Sequence, residues 1–200
     1  RFFSRLLIIT MLSSVLQLPA MAEEEKEVAL NSNISVSDLK SKWQELKPSF
    51  FGNEFIARPN PVPEYALGKL DTRYLTDGLN MANFVRYTAH LPADLELDDQ
   101  LIDQAQHGAV LLATAKQLTH TPSKPEKMDD SFYNRGYSST TTSNINKGYE
   151  RLDEGVLGYM SDSDASNVAA VGHRRWIINP QLKKIGFGYS FSYGGDRSYS

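Results

Sequence analysis

The chain has 200 residues, of which 40% are hydrophobic and 22% charged, a balance that excludes a wholly disordered protein. The net charge of −3 argues against a nucleic-acid partner, because nucleic-acid binding requires a basic surface. Cysteine is absent, which excludes disulfides, thiolate metal sites, a cysteine nucleophile and a lipid anchor on cysteine.

Residues 1–22 are predicted to be a signal peptide. Arg1 and Arg5 are followed by an apolar run and then by Ala20-Met21-Ala22, the small-x-small pattern that signal peptidase cleaves. An apolar run of about 13 residues is too short for a helix that crosses a bilayer of roughly 30 Å. We therefore expect export to the cell envelope or outside it, with no transmembrane anchor after cleavage. An uncleaved anchor is the alternative.

Residues 23–74 are predicted to form an N-terminal arm. Its first part, up to about residue 34, is polar and charged, as in a flexible tether. Leu39, Trp43 and Leu46 then follow at helical spacing and predict a short amphipathic helix. Four prolines between positions 48 and 63 predict an extended, proline-rich connector.

Residues 75–200 are predicted to form one folded domain that begins with two helices. Leu75, Leu79 and Val85 share one face of the first helix. The second begins after Pro92 and has a broad stripe formed by Leu97, Leu101, Ile102, Ala105, Ala109, Leu112 and Ala113. Gly108 and the alanines of this stripe would let another element approach the helix backbone closely.

After these two helices, residues 119–191 are predicted to form a long loop, two short helices and a strand. Residues 119–146 show little periodicity and are expected to form a long loop, whereas 156–160 and 167–178 indicate helices. Residues 184–191 alternate apolar with small or polar side chains, as in a strand. Helices before strands favour an α+β fold. Because one strand cannot form a sheet, we expect the domain's last strands to be missing from this sequence.

Three segments resemble the SCP-like extracellular domains, bacterial type, of the CAP superfamily, which unites cysteine-rich secretory, antigen 5 and pathogenesis-related proteins. They begin at Leu79-Asn80-Met81, at Ala105-Gln106 and, most specifically, at Gly172-His173-Arg174-Arg175-Trp176. The last is followed at the family's spacing by Ile185-Gly186-Phe187-Gly188. The resemblance covers roughly residues 75–190. It implies a three-layer α-β-α sandwich whose cleft, in many members, holds two histidines and two acids, and in some a divalent metal.

The sequence departs from that family pattern at two of the four cleft positions. His173 matches one histidine of the family, but the position of the other is occupied by Gly108. His107 is adjacent, yet one residue is a rotation of about 100° around a helix. Ser143, in Ser143-Asn144-Ile145, stands where the family has a glutamate. We therefore expect no cofactor, although a divalent metal such as zinc on His173, His120 and Asp164 remains an open alternative.

His173 is the best candidate for a catalytic residue, because imidazole titrates near neutral pH and binds metals. The alternative is a structural histidine at a helix end. The nearest acids, Asp162 and Asp164, lie in a segment that lacks the glycine and the glutamate of an EF-hand, so helix capping explains them equally well. His120 follows the long helix, where packing is as good an explanation as cleft function.

The sequence predicts a secreted, non-enzymatic binding module. Gly-x-Ser-x-Gly and His-Glu-x-x-His motifs are absent. The expected partner is an extracellular small molecule, glycan, lipid or peptide, with contacts at His173, His120, Ser143, Asn144 and Asp164. The first alternative is a hydrolase that uses His173 with Asp164 or a metal. The second is a structural surface protein whose cleft is vestigial.

Overall fold

The structure is a computed structural model that describes residues 34–192 and 198–200. The predicted signal peptide, residues 1–22, lies outside the described residues, as does the start of the arm. The helices are α1 Val36–Leu46, α2 Thr72–Thr88, α3 Asp99–Ala115, α4 Asp130–Thr142, α5 Leu152–Ser161 and α6 Arg174–Ile177. The strands are β1 Phe55–Ala57, β2 Lys69–Leu70, β3 Glu96–Leu97, β4 Lys184–Ile185, β5 Ser190–Phe191 and β6 Ser198–Tyr199.

The described part of the arm packs against the domain. Helix α1 begins with a capping box, in which the Ser35 hydroxyl accepts from the Asp38 N–H and the Asp38 carboxylate accepts from the Ser35 N–H. The Trp43 ring then meets Phe84 of α2 edge-on at 5.0 Å. Helix α1 contains Leu39, Trp43 and Leu46, the residues whose spacing predicted a short helix in the arm. The domain boundary placed between residues 74 and 75 stays a prediction, although α2 already begins at Thr72.

The fold has a middle layer of short strands between two layers of helices, as expected of an α-β-α arrangement. Strand β3 pairs in parallel with β4, and β5 pairs antiparallel with β6. Gly186 and Gly188 lie against the backbone of α3, where a Cβ atom at either position would collide. Phe187 packs instead toward Gly78 of α2. The fold is therefore α+β, with α3 and α4 on one side of the strands and α2 and α5 on the other.

The loop expected over residues 119–146 was wrong, because Asp130–Thr142 form helix α4. The Asp129 carboxylate caps the helix by accepting from the backbone N–H groups of Ser131 and Phe132. Helix α4 is rich in serine and threonine and has no continuous apolar stripe, so the sequence did not indicate a helix here. The helix is stabilised by close packing, since Gly136 lies against the backbone of α3 and Gly108 against Ser139. The predicted close approach to the small residues of α3 is thereby confirmed.

The helix expected over residues 167–178 is much shorter, because only Arg174–Ile177 are helical. Turns occupy residues 165–173. Val171 has a φ of 50°, a left-handed conformation that a β-branched residue rarely adopts and that interrupts a regular helix. The single strand predicted over 184–191 is divided into β4 and β5.

Buried Arg86 joins α2 to the turn between α6 and β4. Its side chain is fully enclosed, and its guanidinium donates to the carbonyls of Ile177 at 2.9 Å, Asn179 at 2.8 Å and Pro92 at 3.0 Å. Burial lowers the pKa of Arg86 from its ordinary value. The contacts fix the chain between the His173 segment and the middle layer. Within residues 34–192 and 198–200, no helix has the length and apolar content needed to cross a membrane.

Candidate functional site

His173 is held by a buried carboxylate. Helix α5 ends at Ser161, and Asp162 follows in a left-handed conformation, with a φ of 45° and only 3% of its surface exposed. Its carboxylate accepts from the backbone N–H groups of His173 at 3.1 Å and Arg174 at 3.0 Å. It also lies 2.8 Å from Nδ1 of the His173 imidazole. The pair therefore both starts helix α6 and orients the imidazole.

The charge state of Asp162 decides the tautomer of His173. Burial opposes ionisation of Asp162, but the hydrogen bonds from Arg174 and His173 together lower its pKa below the ordinary value. An ionised carboxylate only accepts hydrogen bonds, so a neutral His173 carries its proton on Nδ1. The lone pair of Nε2 is then left to act as an acceptor, a base or a metal ligand.

A cavity of about 290 Å³ lies between α3 and α5, beside the strands. Its lining is mainly apolar and includes Leu101, Ala105, Ala109, Leu112, Leu152, Val156, Trp176, Ile177, Leu182, Ile185 and Phe187. Gly108, Ser143 and Asn144 also line it. Gly108 and Ser143, the two positions predicted to depart from the family's cleft, thus line the same cavity. Its wall can therefore cover an apolar group, with a few polar atoms at one side.

His173 lies behind the wall of this cavity rather than in it. The Asn144 side-chain amide donates to the His173 carbonyl at 3.1 Å. Tyr159, which lines the cavity, has its ring centre 5.4 Å from the imidazole. The Tyr159 hydroxyl donates to the carbonyl of Ser200 at 3.2 Å. The structure therefore brings Ser143 and Asn144 to the cavity and connects His173 to it through Asn144 and Tyr159.

His120 and Asp164 are not among the residues that line this cavity. Nδ1 of His120 is hydrogen-bonded with the Thr140 carbonyl, and the Thr140 hydroxyl donates to the His120 carbonyl at 3.1 Å. These contacts attach the segment after α3 to helix α4. Asp164 accepts from the side chains of Ser166 and Asn167, which together lower the pKa of Asp164 to about 2. Asp162, two residues earlier, is the acid that contacts His173.

The described residues do not form a ligand set for a metal. Across 34–192 and 198–200, no three histidine or acidic side chains stand close enough together to hold an ion. The Nδ1 of His173 is already engaged by Asp162, and His120 and Asp164 do not share its surroundings. The donor groups of these three residues therefore do not fit the cation site that the resemblance suggests.

A second and wider cavity, of about 840 Å³, lies between the arm and the domain. It is lined by Phe50, Phe51, Gly52, Glu54, Arg58, Tyr74, Asp77, Lys147, Gly148, Glu150, Arg151, Asp153, Tyr189 and Phe191. Buried Asp77 closes its base by accepting from the backbone N–H groups of Ser49 and Phe50. None of the predicted site residues reaches this cavity, so the smaller apolar cavity is the better candidate site.

Sequence reasoning missed the apolar walls of the candidate site. Trp176 is 55% exposed and Leu101 38% exposed, and both line the cavity. Their apolar character was visible in the sequence. Their common position at one cavity was not, because Leu101 and Trp176 belong to different helices, α3 and α6, that are far apart in the chain.

Comparison with known proteins gives one match. A sequence model described as CAP, the cysteine-rich secretory protein family, matches residues 79–199. This range contains all three segments that carry the resemblance. No curated protein and no solved structure matches the chain.

Proposed function

Because the chain belongs to the cysteine-rich secretory protein (CAP) family, whose members are generally extracellular, we propose that it is an extracellular binding module. The proposed site is the 290 Å³ cavity, and the ligand is a molecule that inserts an apolar group into it. Ser143 and Asn144 provide the polar contacts, with His173 supporting Asn144 from behind. The protein acts without catalysis and without a cofactor, at the cell envelope or outside the cell.

The observation that carries this proposal is the composition of the wall. Burying a methylene group contributes about 0.8 kcal/mol, so about six methylenes would contribute roughly 5 kcal/mol before the cost of association. A sugar ring would instead lose hydrogen bonds to water that apolar walls do not replace. Among the four ligand classes, a lipid chain or the apolar side chains of a peptide therefore fit better than a glycan.

The test is to fill the cavity and measure the binding of an apolar probe. N-phenyl-1-naphthylamine, whose fluorescence rises in apolar surroundings, would be titrated into the wild type and into Ala109→Leu. Ala109 is buried in the cavity wall, and the larger side chain is expected to weaken probe binding at least tenfold. Ala115→Leu makes the same change at the exposed end of α3 and is expected to leave binding unchanged.

Equal binding by the two variants would contradict the proposed site. If Ala109→Leu is poorly folded, as judged by circular dichroism, Leu101→Lys replaces it, because Leu101 is partly exposed at the cavity. That variant places a charge beside the apolar group and is expected to weaken probe binding to a similar extent. Absence of probe binding by the wild type would favour a structural surface protein with a vestigial cleft.

The Asp162–His173 pair favours a second candidate function, that of a hydrolase. A carboxylate on Nδ1 orients an imidazole so that Nε2 can take a proton from water or from a hydroxyl. Within residues 34–192 and 198–200, however, no hydroxyl is hydrogen-bonded to this imidazole. Hydrolysis of p-nitrophenyl esters that is lost in His173→Ala and kept in His90→Asn would replace the binding proposal with this one.

A further inference from the structure

The wide cavity between the arm and the domain is separate from the apolar cavity. Its volume is about 840 Å³, and no described residue lines both cavities. Its walls come from the arm, from the first turns of α2 and α5, and from the chain around β5, with Tyr189 and Phe191. Strand β6 proceeds from Ser198 beside Phe191 to Tyr199 beside Ser190, and so runs away from Phe191. The volume lies within the range of about 300–1,000 Å³ that ligand clefts occupy.

Phe51 offers an aromatic ring at this cavity. The residue is 87% exposed, whereas a phenyl group is usually covered by other residues. The preceding segment is held in place, because the Asp77 carboxylate accepts from the N–H groups of Ser49 at 3.0 Å and Phe50 at 2.9 Å. Gly52 follows with a φ of 139°, a conformation that favours glycine. A fixed segment therefore presents the ring to solvent, and a flat ligand can stack on it without rearrangement.

Charged groups of both signs line the same cavity. Among the described residues, four acidic and three basic side chains line it. Arg151 is ion-paired with Asp153 at 3.0 Å and with Asp77 at 3.8 Å. Arg58 differs, since in the described part of the chain its guanidinium forms no ion pair and lies over the Phe191 ring at 4.2 Å. One face of the guanidinium is covered by the ring, so the N–H groups at its edge remain available as donors.

Glu54 and Lys147 add an acceptor and a further donor. Burial raises the pKa of Tyr74 above its ordinary value, and the negative charge of Glu54 adds to the rise, which shows that the two side chains are near each other. Lys147 has its ammonium group 5.7 Å from the ring centre of Tyr199. Neither Glu54 nor Lys147 is ion-paired within residues 34–192 and 198–200. The cavity thus offers donors and acceptors that other described residues do not occupy.

This combination selects a ligand that has many hydroxyl groups and an apolar face. A lipid chain would leave the charged groups without water or hydrogen bonds. A simple anion or cation would meet groups of its own sign as well as groups of the opposite sign. A pyranose ring has hydroxyl groups that both donate and accept, and a face of C–H groups that stacks on an aromatic ring. A saccharide, which the apolar cavity disfavours, therefore fits this wall.

We propose that the wide cavity is a saccharide-binding site, in which one pyranose ring stacks on the ring of Phe51. Arg58, Lys147 and Glu54 form hydrogen bonds with hydroxyl groups of that ring and of its neighbours. Because the charges of the described lining residues nearly cancel, the fitting saccharide is a neutral one. The site is separate from that of the proposed function and does not depend on a ligand in the apolar cavity.

The test titrates three neutral tetrasaccharides into the isotope-labelled 200-residue chain and follows its amide NMR signals. The probes are maltotetraose, cellotetraose and tetra-N-acetylchitotetraose. At least one is expected to bind with a millimolar or lower Kd and to shift the signals of Gly52 and Gly148, which line the cavity. Phe51→Ala is expected to weaken that binding at least tenfold. Ile56→Ala is the matched control, because Ile56 is also an exposed apolar residue of the arm but does not line the cavity.

Arg58→Met tests the proposed hydrogen bonds separately from the stacking. It is expected to weaken tetrasaccharide binding at least threefold. Arg175→Met is its control and is expected to leave binding unchanged. Arg175 is also exposed and also lies over an aromatic ring, that of Trp176 at 5.1 Å, but it does not line this cavity.

Four results would overturn the saccharide site. The first is the absence of binding by all three tetrasaccharides, and the second is equal affinity of Phe51→Ala and Ile56→Ala. The third is binding that is lost in Ala109→Leu, because the saccharide would then occupy the apolar cavity. The fourth is binding of phosphatidylglycerol vesicles that depends on Phe51, without binding of any tetrasaccharide, which would assign the ring to a membrane surface. Titration with N-phenyl-1-naphthylamine tests the apolar cavity separately, so the failure of one proposal is distinguishable from the failure of the other.

Discussion

Replacement of Arg86 by methionine is expected to destabilise the fold strongly, because this one side chain donates hydrogen bonds to three backbone carbonyls. Arg86→Met keeps an unbranched apolar stem but removes the guanidinium, which leaves the carbonyls of Ile177, Asn179 and Pro92 without their donor. A hydrogen bond to a charged group contributes about 1.5–3 kcal/mol, and bonds within one network are not additive. We therefore expect the free energy of unfolding to fall by about 3–5 kcal/mol, a large part of a typical domain's stability.

The assay is equilibrium unfolding in urea, followed by circular dichroism. Arg86→Lys is expected to lose less than Arg86→Met, because an ammonium can still donate to some of the three carbonyls. Arg135→Met is the control, since Arg135 is partly exposed and ion-paired with Asp103, and its change is expected to stay below about 1 kcal/mol. If Arg86→Met unfolds at the same urea concentration as Arg135→Met, the reasoning about buried carbonyls is wrong.

Three further predictions concern the site and its supports. Burial disfavours ionised Asp162, but hydrogen bonds from Arg174 and His173 lower its pKa below that in the unfolded chain. The ionised carboxylate therefore stabilises the fold at pH values above its unfolded pKa of about 4, and this stabilisation is lost as the pH falls through the lower folded pKa. Asp162→Asn should therefore flatten the acid limb of stability against pH, and an unchanged limb would refute this. Asp77→Asn should increase the rate of amide hydrogen exchange at Ser49 and Phe50, whose N–H groups donate to Asp77, at least tenfold. Equal exchange rates in the variant and the wild type would contradict this prediction. Gly108→Ala should cost about 1–3 kcal/mol by collision with Ser139, and Ser139→Gly should restore most of it; no rescue would show that the collision is not the cause.

The elements that the sequence predicted well are those with a clear apolar period. Helices α1, α2 and α3 follow stripes of apolar residues, and their structural bounds, Val36–Leu46, Thr72–Thr88 and Asp99–Ala115, include most of the residues that carried the predictions. The family assignment was predictable for a different reason. It depended on short motifs around His173, whose spacing to Ile185 is local in the chain. Both the apolar periods and the short motifs can be recognised in the sequence without knowledge of tertiary contacts.

The elements that were missed depend on tertiary contacts. Helix α4 has serines and threonines where an apolar stripe would be expected, and it forms because Gly136 lies against the backbone of α3. The contact between Asp162 and His173 depends on the left-handed turn after α5 and on the strained Val171. The conformation of Val171 has no signature in residue type, since left-handed backbone is expected chiefly at glycine, asparagine and aspartate. That of Asp162 is compatible with its residue type, but an aspartate at this position equally suits helix capping. The pairing of Asp162 rather than Asp164 with His173 follows from that turn.

The absence of a histidine at position 108 and the apolar wall have one structural cause. Gly108 both lines the cavity and lies so close to helix α4 that any Cβ atom would collide with Ser139. Gly108→His would therefore have to displace α4 before its imidazole could reach the cavity, and close-packed helices resist such displacement. The same contact that brings α4 onto α3 excludes a ligand side chain at this position. A metal centre could consequently not be rebuilt at this position by one substitution, whereas an apolar ligand requires no change in the packing of the two helices.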